Sequence, residues 1–203
     1  MPAKFIVIEG PDYSGKTTQA KLLLWYLKKK KRINTKYIRE PGGTKIGEKI
    51  RTLLLDSKNS MSILTELFLY MASRANLVEN KIIPMLKKDV TVVCDRYFYS
   101  SVAYQGGAGG IGINNVYNIS LTAVKNVLPD LVILLDISPR EAFKRSRTSK
   151  DRIEKRPLSF HKKVHKAFIE IANKEPNRIK IINALLPVEE VQRRIRCLVD
   201  GIL

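Results

Sequence analysis

The sequence predicts an α/β fold in which a five-stranded parallel sheet is covered by helices on both faces. Three observations carry that expectation. Short apolar runs, most of them β-branched, alternate along the chain with longer segments of helical periodicity. The first run opens directly into a glycine-rich loop and then a helix, the order in which α/β proteins build phosphate sites. Strand-like runs end on charged residues, at the carboxyl edge where ligands of parallel sheets gather.

The first run is Phe5-Ile6-Val7-Ile8, a buried strand. Gly10-Pro11-Asp12-Tyr13-Ser14-Gly15-Lys16-Thr17 then fits the phosphate-loop pattern of P-loop NTPases, with Thr18 beside it and a helix over Gln19 to Leu27. A phosphate tail wants backbone N–H groups turned inward, and glycine lets the chain bend that tightly. The helix start adds its positive dipole end, Lys16 a full charge, and Thr17 a hydroxyl for magnesium.

Composition bounds the rest. The 203 residues suffice for one sizeable core and leave a second full domain cramped. No apolar stretch reaches membrane-spanning length, and the N-terminus lacks a signal peptide's layout. Cys94 and Cys197 lack ligand spacing, so both are expected as buried free thiols in a reducing, cytoplasmic compartment. The net charge of +18 raises the question of an anionic partner. Its lysines are spread widely, and no stretch alternates them with aromatics as a nucleic-acid stacking platform would. The dense run Lys28 to Arg32 falls where the first helix ends, which cations favour. The expectation is therefore no nucleic acid and no membrane partner, with a charge that suits an anionic small molecule.

Thr35 to Arg39 reads as the second strand, broken by Glu40-Pro41-Gly42-Gly43, which sets Arg39 and Glu40 at the ligand edge. Thr44 can cap the next helix, where Ile46, Ile50, Leu53 and Leu54 form a core stripe. Ser62 to Leu86 predicts one long helix, with Leu64, Leu67, Phe68, Met71 and Ala75 inward and Glu66, Ser73 and Glu79 off that face. Tyr70 and Arg74 stand one turn apart and project together, as a core aromatic beside a surface arginine or as a ligand-facing pair. Asp89 to Cys94 is the third strand. Asp95 at its tip is where a magnesium-holding aspartate belongs, and Arg96 can fork onto a phosphate. Gly106 to Gly110 reads as a mobile loop.

Asn114 to Val127 is helical, Leu131 to Leu135 the fourth strand, and Pro139 to Arg147 a helix opened by its proline. Arg145, Arg147, Lys150, Arg152, Lys155 and Arg156 follow closely. They suit a solvated face and a charge-neutralising flap equally. Ser159 to Asn173, Arg178 to Ile182 and Val188 to Val199 complete the alternation as helix, strand and helix.

EGPDYSGKTT, REPGGT, the ASRA segment, DRYFYSSVAYQGG, PDLVILLD and DRIE follow in that order over essentially the whole chain. On these motifs the chain resembles the bacterial thymidylate kinase family, which passes the γ-phosphoryl of ATP to dTMP to give dTDP. The phosphate loop is shared by many ATPases; REPGGT with DRY…AYQG and a following DRIE is far more specific. The resemblance implies one nucleoside monophosphate kinase domain over residues 1–203 with a flap at about 144–157. It also implies ATP as donor, Mg²⁺ as cofactor, and a homodimer packed through helices such as Ser62 to Leu86. Rival readings are a kinase for another nucleoside monophosphate, or a P-loop nucleotide-binding switch.

The same resemblance assigns residues. ATP would lie on Gly10 to Thr18 and Arg145, with Thr17 and Asp95 toward the metal. Tyr70 matches the aromatic that stacks on thymine and Arg74 the arginine that reaches the base's edge. Ser101 takes the place of a residue facing the pyrimidine, Tyr104 that of a tyrosine under the sugar, and Gln105 belongs to the dTMP site with them. Asp12 matches the carboxylate near the 3′-OH; Arg39 and Arg96 would grip the monophosphate, and Pro41 resembles a proline often preceded by a cis bond. The loop carries Tyr13 and Ser14 but no arginine, so the chain looks like the version whose catalytic arginine sits in the flap, with Arg152 the main candidate beside Lys16, Asp12 and Arg96. Tyr13, Tyr70 and Ser101 depart from the smaller residue, the Phe and the larger polar residue usual in the family.

Overall fold

Strand β1, Phe5–Glu9, is buried along its whole length because its alternating side chains feed two different cores. Phe5 and Val7 join one core, while Ile6 and Ile8 join the other. The computed structural model describes residues 2–146 and 151–203. The described residues form one five-stranded sheet with β2 (Thr35–Arg39), β3 (Thr91–Asp95), β4 (Leu131–Asp136) and β5 (Ile179–Asn183). Its order is β2-β3-β1-β4-β5 and every pairing is parallel. Ile8 pairs with Asp95 and Arg39 with the same Asp95, so the carboxyl ends of the three strands finish at one level.

Helices follow the strands in turn. They are α1 (Lys16–Trp25), α2 (Lys45–Leu55), α3 (Ile63–Leu77), α4 (Ile83–Leu86) and α5 (Phe98–Ser101). After them come α6 (Ile113–Ala123), α7 (Pro139–Lys144), α8 (Leu158–Lys174) and α9 (Val188–Asp200). Thr44 caps α2 through the Gly47 N–H and Ser62 caps α3 through the Thr65 N–H, each filling an orphan donor. A π-helical turn, Val78–Ile82, joins α3 to α4, so the long helix expected over 62–86 is continuous.

Four expectations change. The apolar stripe of α2 is wider than its buried face: Ile50 and Leu54 are buried, while Ile46 and Leu53 are half exposed. In α3 the buried face is rotated away from the apolar one. Leu64 and Phe68 stand in solvent, while Glu66, Ser73 and Arg74 are inside. Polar residues are tolerated there because each is paired, Ser73 Oγ accepting from the Gly42 N–H and the other two forming buried ion pairs. The Gly106 segment is not a free loop, because a π-helical stretch, Val102–Ala108, continues α5. Its glycines serve close packing: a Cβ at Gly107 would collide with Ala167 Cβ of α8. Cys94 is buried as expected, whereas Cys197 is exposed.

Candidate active site

The turn after β1 is held by backbone that other residues could not adopt. Gly10 has φ 146°, and a Cβ there would lie 2.7 Å from the Leu135 carbonyl oxygen. Gly15 has φ 92° and Tyr13 takes a left-handed φ of 62°, its ring tilted against Phe143. Lys16, the first residue of α1, is buried and folds back over the loop. Its Nζ donates to the Pro11 carbonyl at 2.6 Å and reaches Ser14 Oγ at 3.5 Å. Burial, with the Arg96 guanidinium nearby, pulls the Lys16 ammonium down to about 8. The loop thus holds a cation in need of an anion. Thr17 and Thr18 are exposed in the first turn of α1.

Across the loop, Asp95 ends β3. Its Oδ2 accepts from Thr17 Oγ1 at 2.5 Å and from the Tyr37 hydroxyl at 3.2 Å. A hydroxyl and a carboxylate oxygen at a phosphate loop are hard donors that fit Mg²⁺. Among the described residues no group of three His, Cys, Asp or Glu could hold a metal alone. Magnesium completed by nucleotide phosphates and water needs no such group.

Arg96 is the hub. It sits at φ 71°, a conformation unusual for a non-glycine residue, and that turn aims its guanidinium back at the loop. Nη1 donates to the Gly10 carbonyl at 3.0 Å and to Ser100 Oγ at 2.9 Å; Nη2 donates to Asp12 Oδ1 at 2.5 Å. Asp12 Oδ2 accepts from the Tyr104 hydroxyl at 2.8 Å, and the Arg96 guanidinium lies over the Tyr104 ring at 5.4 Å. Burial opposes ionisation of Asp12, but Arg96 and Lys16 together hold its carboxyl below the usual range. Beneath them Glu9, fully buried, accepts from the Tyr97 and Ser100 N–H groups and the Ser100 hydroxyl, and burial pushes its carboxyl up.

Asp12, Lys16, Thr17, Asp95, Arg96 and Ser100 wall a cavity of about 470 Å³ that also takes in Arg39, Pro41, Tyr70, Ser101, Tyr104 and Gln105. Arg74 stands behind it, buried, with Nε on Glu40 Oε2 at 2.6 Å and Nη1 donating to Ser101 Oγ at 3.0 Å. Burial pushes Glu40 up to about 7 against the pull of Arg74. The Glu40–Pro41 bond is cis.

Asp151–Arg156 forms a self-capped turn. Asp151 Oδ1 accepts from the Ile153 and Glu154 N–H groups, and Glu154 Oε2 returns to the Asp151 N–H at 3.0 Å. Asp151, Ile153 and Glu154 line the cavity. Arg152 faces away from it: its backbone N–H donates to the Leu55 carbonyl and its Nε to the Leu54 carbonyl at the end of α2. Its Nη2 lies 2.6 Å from Glu66 Oε2, an ion pair in which no N–H is aimed at the oxygen. Arg145 donates to the Ala184 carbonyl after β5. Arg147 and Lys150 lie outside the described residues.

Comparison with known proteins decides the family. Residues 8–195 match the thymidylate kinase family. The chain is 44% identical to the thymidylate kinase of Thermoanaerobacter sp. (strain X514) over 196 residues, 96% of each chain. It is 46% identical to that of Finegoldia magna over 194 residues, 92% of this chain and 93% of that one. The chain belongs to the thymidylate kinase family. It is thereby a phosphotransferase of the nucleoside monophosphate kinase class.

Most thymidylate kinase residues expected from sequence meet in one place. Asp12, Tyr13, Lys16, Thr17, Arg39, Pro41, Tyr70, Asp95, Arg96, Ser101, Tyr104 and Gln105 share the cavity, while Arg74, Arg145 and Arg152 do not line it. Arg74 is not the surface arginine of the first alternative: it is buried, with its guanidinium on Glu40 and on the cavity-lining Ser101. Sequence reasoning missed Tyr37, Arg51 and Glu154 in the wall, and Glu9 and Glu66 behind it. A charged residue closing a fully apolar strand was the available signal for Glu9. Arg51, whose Nη1 donates to the Pro41 carbonyl at 2.9 Å, sits on a helix face that reads as solvent.

Proposed function

We propose that this thymidylate kinase family member transfers the γ-phosphoryl of ATP to dTMP, releasing dTDP and ADP. The observation that carries the reading is a single cavity in which Tyr70, Ser101 and Tyr104 face Lys16, Thr17 and Arg96. Tyr70 offers a face for a base, and Tyr104, fixed by Asp12 and Arg96, a floor for a sugar. Arg39 and Arg96 hold the acceptor phosphate, and Lys16 with the loop N–H groups holds the donor phosphates. Thr17 and Asp95 would hold Mg²⁺, which supplies charge neutralisation on the phosphates. The attacking group is already an anionic phosphate oxygen, so these side chains position and neutralise, and no strong base is required. Asp12 orients the acceptor's 3′-OH, and Arg152, with Arg145 on the ATP side, supplies flap charge.

A coupled assay of ADP release with ATP and dTMP, dUMP, dCMP or no acceptor tests this. Release should be fastest with dTMP and negligible without acceptor; acceptor-independent release would make the chain a nucleotide switch instead.

We further read the assembly as a cytoplasmic homodimer. Ile46 and Leu53 on α2 and Leu64 and Phe68 on α3 are each about half exposed, on two helices that pack together. Light scattering should return twice the chain mass of 23.1 kDa; a monomer mass would remove the dimer. The unpaired thiols accord with a reducing compartment, which cell fractionation checks.

A further inference from the structure

Glu66 lies on α3 one turn before Tyr70 and has no solvent exposure. Its two oxygens are divided. Oε2 accepts from Arg156 Nη2 at 2.8 Å and faces Arg152 Nη2 at 2.6 Å. Oε1 accepts from Gln105 Nε2 at 2.7 Å. A carboxylate only accepts, so the end of Gln105 turned to it must be the NH₂. Gln105 Oε1 is buried, belongs to a residue lining the cavity and has no hydrogen-bond partner among the described residues. Turning the amide over would set an oxygen against the carboxylate.

We infer that Glu66 is a positioning residue that sets base specificity: by holding the Gln105 NH₂ it leaves the cavity an acceptor. This rests on the cavity being the acceptor-nucleotide site. Ser101, which also lines the cavity, has its Oγ accepting from Arg74, which leaves the hydroxyl proton as the group it can offer a ligand. A donor beside an acceptor matches the adjacent O4 and N3–H of thymine or uracil. Cytosine presents an amino group and a bare N3, the inverse at both positions. Arg152 and Arg156 tie the flap turn to the same carboxylate, so the group that selects the base also moors the flap.

E66Q tests the idea. Its new carbonyl oxygen stays with the arginines, which only donate, and its NH₂ turns to Gln105. Gln105 must then flip and present a donor to the cavity. The kcat/KM ratio of dTMP over dCMP should fall by about tenfold or more, the scale of exchanging one hydrogen bond for a mismatch. The ratio of dTMP over dUMP should stay unchanged, because both bases carry N3–H. An unchanged dTMP/dCMP ratio in the folded variant, or equal loss on all three acceptors, overturns the role of Glu66. A wild-type protein inactive on dTMP overturns the reading of the cavity instead. Should E66Q not fold, nuclear Overhauser contacts of the Gln105 side-chain NH₂ in the wild type decide: those to the Glu66 side chain persist on adding dTMP if Glu66 keeps that donor. Their loss overturns the assignment.

Discussion

Replacing Lys16 with Met is expected to lower kcat by roughly 10²–10³-fold or more, with KM for dTMP nearly unchanged. The ammonium sits within the phosphate loop, 2.6 Å from the Pro11 carbonyl, and makes no hydrogen bond to Tyr104, which is held through Asp12 and Arg96. Its loss therefore removes charge from the donor phosphates and the transition state, and leaves the acceptor's contacts alone. Folding should survive. Burial already weakens the hold of Lys16 on its proton, so an apolar chain of similar length removes a desolvation cost and leaves no buried charge behind. A bound triphosphate would add its charge to that of Asp12, Asp95 and Glu9, the carboxylates that already act on this ammonium. Steady-state kinetics with calorimetric dTMP titration checks the split; an unchanged kcat would take Lys16 out of phosphoryl transfer.

How much of this was legible in the sequence follows the physics of each signal. The sheet was legible because β-branched runs such as Phe5 to Ile8 are apolar on both faces, which a doubly covered strand demands. The phosphate loop was legible because glycine at Gly10 and Gly15 answers a local backbone need. Long-range pairing was not. Glu66 looked like a solvent-side residue because its partners, Gln105, Arg152 and Arg156, are distant in sequence and hydrophobic periodicity is blind to them. The same blindness mistook Gly106 and Gly107 for a mobile loop, when what they accommodate is the approach of Ala167 from another helix. For Arg74 the spacing gave its direction but not its depth: one carboxylate, Glu40, converts a surface residue into a buried one.

Arg152→Ala is expected to cut kcat by about 10³-fold or more, in the range that a transition-state arginine supplies in phosphoryl transfer, while dTMP still binds. The resting position of this side chain, turned from the cavity toward Glu66, does not contradict that expectation. Glu66 faces two guanidinium groups with one negative charge, so one of them is surplus. Arg156 makes the directed hydrogen bond and Gln105 satisfies the other oxygen, whereas Arg152 has no N–H aimed at the carboxylate. Its departure toward the phosphates would thus leave no orphaned charge, which is what usually makes breaking a buried pair costly. The Asp151–Glu154 turn keeps its own capping bonds throughout, so the residue can swing while its backbone stays closed. For the same reason the alanine variant should fold, and thermal melts beside the kinetics separate the two roles. A lower melting temperature with intact kcat would make Arg152 a mooring for the flap and pass the charge-neutralising role to Arg145 or Arg147.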